Sequence, residues 1–151
     1  MDYRENLIED EEGIRALLQS AHRIAVLGIK TEQQAGQPAF DVPLYLERAG
    51  YEIVPVPVYY PDTVQILGHP VYRRLQDVPG DIDIVDVFRR PQDIPGHVED
   101  IIAKHPRAVW FQLGIRHDEA AEQLARAGIQ VVQDRCMKVE HRRLVTAATA
   151  R

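Results

Sequence analysis

Apolar residues in this chain gather into short runs rich in valine and isoleucine, and four of those runs end in a basic residue. They are IAVLGIK ending at Lys30, IDIVDVFRR at Arg89 and Arg90, AVWFQLGIR at Arg116, and IQVVQDR at Arg135. Between the runs, apolar positions recur at helical spacing. The pattern predicts a helix over 9–20, with Ile14, Leu17 and Leu18 on one face and acidic residues in its first turn, where the helix dipole favours them. A buried strand over 23–27 follows, Gly28 opens a polar loop over 29–38, and a helix over 39–49 closes at Gly50. Pro43 is placed in the first turn of that helix, where proline is tolerated.

A second strand is predicted over 51–58, with Pro55 and Pro57 marking where it must leave its ladder. Residues 59–80 read as irregular, with a short strand over 71–73. Strand 82–88, helix 92–104, strand 108–113, helix 118–127, strand 130–133 and helix 136–144 complete the series. Residues 1–8 and 145–151 are expected to fray. Strands apolar on both faces, alternating with helices, argue for a parallel sheet covered on both sides. The expected fold class is α/β: one Rossmann-like, doubly wound domain over 1–151, with a mainly parallel sheet of about five strands and helices on both faces.

Composition narrows the function classes. At 151 residues the chain can bury a sizeable core, and 45% hydrophobic with 27% charged residues is a globular balance. A net charge of −5 disfavours a broad nucleic-acid or anionic-membrane surface. One cysteine, Cys136, fits a reducing compartment. The opening MDYRENLIEDEE is unlike a targeting peptide, and no apolar run approaches a membrane span, so the expected address is the cytoplasm.

In an open α/β sheet, ligands bind outside the carboxyl ends of the strands, where helix N-termini also point. An acidic protein would thus have placed Lys30, Arg89, Arg90, Arg116 and Arg135 on the one edge suited to a phosphorylated ligand. The loop G-I-K-T-E-Q-Q-A-G-Q-P holds only Gly28 and Gly36, so it lacks the G-x-G-x-x-G spacing of a dinucleotide site. The second strand ends V-P-V-P-V without the acidic residue that would hold a ribose. Lys30, Thr31 and loop amides suit another phosphate geometry. Arg89 and Arg90 could grip a phosphate or pair with Asp86 or Asp93. Trp110 reads as core, and Gly114 would let a ligand approach the backbone. The six histidines show no metal-ligand spacing, and no nucleophile–base pair is visible.

The strings IAVLG, GQPAFDVPLYLERAGYEIVPV, ILGHPVYRRLQDVP, DIDIVDVFRRP and AVWFQLGIRHDEAAEQLARAGIQVVQDRCMKVEH resemble the small, stand-alone CoA-binding protein family. That family is itself similar to the N-terminal CoA-binding domain of the succinyl-CoA synthetase α subunit. The resemblance covers about residues 22–144. It implies that Gly28, Ile29, Lys30, Thr31, Gln37 and Pro38 cradle the phosphates of coenzyme A or an acyl-CoA. It also implies that Val56, Pro57, Val58 and Tyr59 lie along the adenosine part, with Phe88, Arg89, Arg90, Gln112 and Gly114 closing over the ligand. The family often reads R-P-S or K-P-[AS] where this chain has Gln37-Pro38-Ala39, and P-V-N-P at Pro55-Val56-Pro57-Val58. The synthetase's phosphohistidine lies in a second domain without a counterpart in this sequence, so no acid–CoA ligase activity is implied.

The function expected is a non-catalytic binding or regulatory module for a small-molecule CoA ligand, without nucleic acid or membrane. Two alternatives stay open. One is a nucleotide- or dinucleotide-dependent enzyme using Cys136 or His117; the other is a structural subunit whose pocket has degenerated at Gln37 and Pro57. A homodimer or an unidentified protein partner also stays open.

Overall fold

The structure is a computed structural model that describes residues 2–146. Five strands form one parallel sheet: β1 (Arg23–Leu27), β2 (Glu52–Val56), β5 (Ile84–Val87), β6 (Ala108–Phe111) and β7 (Gln130–Val132), in the spatial order β2-β1-β5-β6-β7. Helices α1 (Glu11–Ser20), α2 (Pro38–Arg48) and α5 (Met137–His141) cover one face through Ile14, Leu18, Phe40, Leu46 and Met137. The other face is packed by α3 (Val98–Lys104) and α4 (Asp118–Arg126) through Val98, Ile101, Ala121 and Leu124. This is the expected doubly wound Rossmann-like α/β architecture. Because both faces are covered, the interior strands read as near-continuous apolar runs, with Asp86 of β5 the exception.

Several boundaries differ from the expectation for identifiable reasons. Pro55 does not end its strand; it pairs with Val26 within β2. β2 lies at the edge of the sheet, and the Pro55 carbonyl accepts from Tyr72 N at 3.0 Å on the outer side. The missing N–H also faces outward, so no ladder bond is lost. Pro43 sits in the second turn of α2 rather than the first, because the helix starts at Pro38. Its lost i→i−4 partner would be the Ala39 carbonyl, which instead accepts from Lys30 N at 3.1 Å. The proline thereby frees an acceptor that ties the first loop to the helix.

The expected strand over 71–73 is absent. In its place β3 (Gln65–Ile66) and β4 (His69–Pro70) form an antiparallel hairpin closed by Leu67 (φ 55°) and Gly68 (φ 75°). Leu67 is strained there, and its amide is held by Glu32 Oε2 at 2.8 Å. The expected helix over 92–104 is a 3₁₀ segment, Pro91–His97, followed by α3, since Pro95 and Gly96 interrupt regular α-helical bonding.

Within the tail expected to fray, residues 3–8 pack against α4 and β7 in the structure. Tyr3–Asn6 is a 3₁₀ turn, Leu7 bridges β7 at Val131, and Ile8 N donates to the Val131 carbonyl at 2.9 Å. Asn6 Nδ2 reaches the Ala125 carbonyl, and the Arg126 guanidinium lies 4.2 Å from the Tyr3 ring centroid. At the other end, α5 continues as a π-type turn over Arg142–Thr146. The remainder of the expected C-terminal tail, 147–151, lies outside the described residues.

Candidate functional site

The chain crosses from β2 on one side of β1 to β5 on the other, so the carboxyl ends of β1 and β5 form the topological switch point. Open α/β sheets bind ligands at such a crevice. Gly28 follows β1 with φ 90°, its amide donating to the Val56 carbonyl at 2.9 Å. Phe88 N in turn donates to the Leu27 carbonyl at 2.9 Å. A Cβ on Gly28 would lie 2.3 Å from the Phe88 carbonyl oxygen and 3.3 Å from Arg89 Cδ. Only glycine permits this approach.

The loop after Gly28 is organised from within. Ile29 is buried, and Thr31 caps the 3₁₀ turn Glu32–Gln34 in a reciprocal capping box with Gln34. Gly36 N donates to Asp41 Oδ1 at 2.9 Å, and Lys30 Nζ donates to Gln37 Oε1. Most loop amides therefore already have acceptors, fewer being free than a phosphate cradle made of the whole loop would need. The N-terminus of α2 is different. Pro38 occupies its first position, Gln37 gives it no side-chain cap, and the Ala39 amide has no protein acceptor. The helix dipole and that free N–H are an anion-binding arrangement.

Arg89 and Arg90 diverge. Arg90 is exposed and pairs with Asp93 at 2.9 Å. Arg89 is only 13% exposed in its side chain, lies 3.5 Å from Asp93, and donates from Nε to His97 Nε2 at 3.2 Å. Its guanidinium also lies 5.5 Å from the centroid of the Tyr59 ring, whose hydroxyl accepts from it at 3.4 Å. Burial first, and then the Arg89 charge, hold the His97 pKa below its ordinary value. That matches a neutral imidazole accepting the Arg89 proton. Hydrogen bonding to Arg90 keeps Asp93 below the usual carboxylate range.

A cavity of about 310 Å³ opens at the ends of β1 and β2, lined by Leu27, Val56, Pro57, Val58, Arg74 and His97 among others. Tyr59 stands beside it, 60% exposed. The turn carrying Tyr59 is fastened by Arg73, whose guanidinium donates to the carbonyls of Tyr59, Tyr60, Pro61 and Thr63. Tyr60 adopts φ 64°, a conformation that needs such support. Arg73→Ala is expected to free this turn, speeding amide exchange over 60–63 about tenfold while the rest of the sheet is unchanged. Hydrogen-exchange mass spectrometry reads this directly, and uniform protection would refute it.

The larger cavity, about 620 Å³, lies at the opposite flank, between residues 3–9, α4 and β7. It contains the two other basic strand-end residues. Arg116 is committed to Asp118 at 3.0 Å, and Arg135 to Glu140 and the Glu9 carbonyl. We favour the smaller cavity because Leu27 at the end of β1, and His97, which holds Arg89, set it beside the switch point. Gly114 N is likewise engaged, donating to Asp134 Oδ1 at 2.6 Å. Trp110 is fully buried core, and Cys136 is a half-buried thiol at the head of α5.

Gln112 is buried, and its Nε2 donates to Asp86 Oδ1 at 2.6 Å. Asp86 therefore pairs with neither arginine. It sits at 0% exposure in the central strand, and burial pushes its pKa up to about 7. The sequence offered Asp86 only as an ion-pair partner for Arg89 or Arg90, although a carboxylate inside IDIVDVF was a visible exception to the apolar run. His97 and Arg73 were missed, because no local pattern says that they face the strand ends.

Comparison with known proteins places this chain in a wider group. The CoA binding domain family matches residues 22–142. The uncharacterized protein YneT of Bacillus subtilis (strain 168) is 35% identical over 128 residues, 85% of this chain and 91% of that protein. The solved structure of cell-free ID.343 from Thermus thermophilus is 40% identical, with a TM-score of 0.82 over 90% of this chain and 99% of the other. A hypothetical protein from Pyrococcus horikoshii OT3 is 33% identical, with a TM-score of 0.81 over 91% and 93%. In sequence over nearly all of the sheet, and in the course of its backbone, this chain belongs to the CoA binding domain family.

Proposed function

We propose that the chain binds coenzyme A or an acyl-CoA at the carboxyl edge of its sheet, as a non-catalytic binding or regulatory module of the cytoplasm. The observation that carries this reading is the uncapped N-terminus of α2 at the same edge as the Arg89–Tyr59 pair. An anion-binding helix N-terminus and an aromatic platform on one edge suit a phosphorylated nucleotide. The residues fit the coenzyme as follows. The Ala39 amide, Lys30 and Arg89 meet phosphates, Val56, Pro57, Val58 and the Tyr59 ring flank the adenosine, and Gly28 lets the ligand approach the backbone. Thr31 and Gln37 shape the loop around Lys30, while Arg90 stays at the rim. The non-catalytic assignment is supported by His117, whose Nδ1 accepts from Ala120 N at 3.1 Å as the cap of α4.

Calorimetric titration of ligand-free protein with CoA, dephospho-CoA and NAD at two salt concentrations tests the reading. CoA is expected to bind saturably, more weakly without its 3′-phosphate and at high salt. A Lys30→Ala, Arg89→Ala double variant should lose about 10- to 100-fold in CoA affinity, the worth of hydrogen bonds to charged groups. NAD binding in place of CoA, or unchanged affinity in the double variant, would overturn the assignment.

A further inference from the structure

Asp86 Oδ2 is enclosed and has no hydrogen-bond partner, the one such side-chain atom among the described residues. Native proteins rarely leave a buried carboxylate oxygen orphaned, because the desolvation is not repaid. Its other oxygen has one partner, the Gln112 amide. Asp86 Oδ1 accepts from the Gln112 NH₂, which turns inward, and the Gln112 carbonyl points away. Gln112 Oε1 has no protein donor either, yet it is not among the enclosed orphan atoms, so it keeps some solvent exposure although the residue is buried. Gln112 directly follows β6, beside the strand end from which Phe88 and Arg89 project, and its amide N–H reaches the Val87 carbonyl at 3.4 Å.

We propose that Asp86 is a positioning residue for the ligand: it fixes the Gln112 amide so that Oε1 stands at the sheet edge as an acceptor for an N–H donor. Within the CoA reading, on which this rests, that donor is a secondary amide of the pantetheine arm; the adenosine 3′,5′-diphosphate half does not need this contact. The orphaned Asp86 oxygen is then a folded-state cost retained for ligand recognition. A purely structural polar pair would be complete within the protein.

The test compares CoA with 3′,5′-ADP, which lacks the amide arm, by calorimetry on the full chain. Asp86→Leu should weaken CoA about tenfold, the worth of one hydrogen bond, and change 3′,5′-ADP affinity less than twofold. Asp86→Asn keeps an acceptor for Gln112 Nε2 and should restore CoA affinity to within about threefold of wild type. Should Asp86→Leu fail to fold, the Asp86→Leu, Gln112→Leu pair, which replaces both polar groups together, carries the same expectation. Unchanged CoA affinity in these leucine variants would overturn the positioning role alone. Equal losses for both ligands would also overturn it, as general damage to the site. A wild-type protein that ignores CoA would overturn the functional reading together with it.

Discussion

Gly28→Ala should destabilise the protein by about 3 kcal/mol or more. Two costs act together. The backbone at φ 90° is unfavourable for any residue with a Cβ, by roughly 1–2 kcal/mol. The new methyl would also lie 2.3 Å from the Phe88 carbonyl oxygen, against backbone that cannot rotate away. Overpacking of this kind costs about 1–3 kcal/mol even where side chains give. Here the obstructing atom belongs to the segment leaving the central strand, so relief requires β1 and β5 to part at their carboxyl ends, where Phe88 N holds the Leu27 carbonyl at 2.9 Å. Urea denaturation followed by circular dichroism measures the loss. A variant within 1 kcal/mol of wild type, a threshold taken from ordinary surface substitutions, would mean that the contact between the strands is looser than described.

Asp86 should make wild-type stability fall with rising pH across the range where most carboxylates have ceased to matter. In the unfolded chain its carboxyl has the ordinary value of 3.8, and in the folded protein burial raises it to about 7. A raised folded-state pKa means that the folded form holds the proton longer. The stability it contributes is therefore fully present below about pH 4 and is lost as pH rises through about 7. The span corresponds to a loss on the order of 4 kcal/mol. Carboxylates such as Asp83, whose amide hydrogen bonds to His22 and Arg23 lower its pKa against the opposing effect of burial, act in the other sense and lose stability as pH falls. Comparison with Asp86→Asn isolates the buried group. The variant should gain on wild type steadily between about pH 4 and 7, the difference levelling above about pH 7. Parallel stability curves for the two proteins would show that Asp86 does not titrate in this range.

Both effects arise at one place, the switch point between β1 and β5, and both concern residues whose roles depend on a neighbouring strand. That divides what could be read from the sequence from what could not. The strand β1 (Arg23–Leu27) and the α1 face of Ile14, Leu17 and Leu18 were legible because burial on a regular element leaves a period in the sequence. Gly28 was legible as a turn residue, and the basic ends of the runs as ligand candidates. Their sorting was not. Arg89 turns inward to His97 and Tyr59 while Arg116 and Arg135 are spent on ion pairs at the far flank. A guanidinium chooses among acceptors brought together only by strand order, and strand order is a long-range property.

The prolines show the same division. Proline signals a missing donor in any context, which made Pro55 look like the end of a strand and Pro43 like the start of a helix. Whether the missing donor costs anything depends on what faces it. Pro55 faces outward from an edge strand, and the acceptor that Pro43 abandons is taken by Lys30 N. The sequence by itself determined the α/β alternation, the apolar faces and the family motifs, because local period and composition carry them. Only the tertiary structure decided that Arg89 turns inward at the switch point, that the Ala39 amide remains free at the start of α2, and that Asp86 is sealed beneath Gln112. Burial and unpaired hydrogen-bonding groups are defined by what packs against a residue, and those partners lie tens of residues away in the chain.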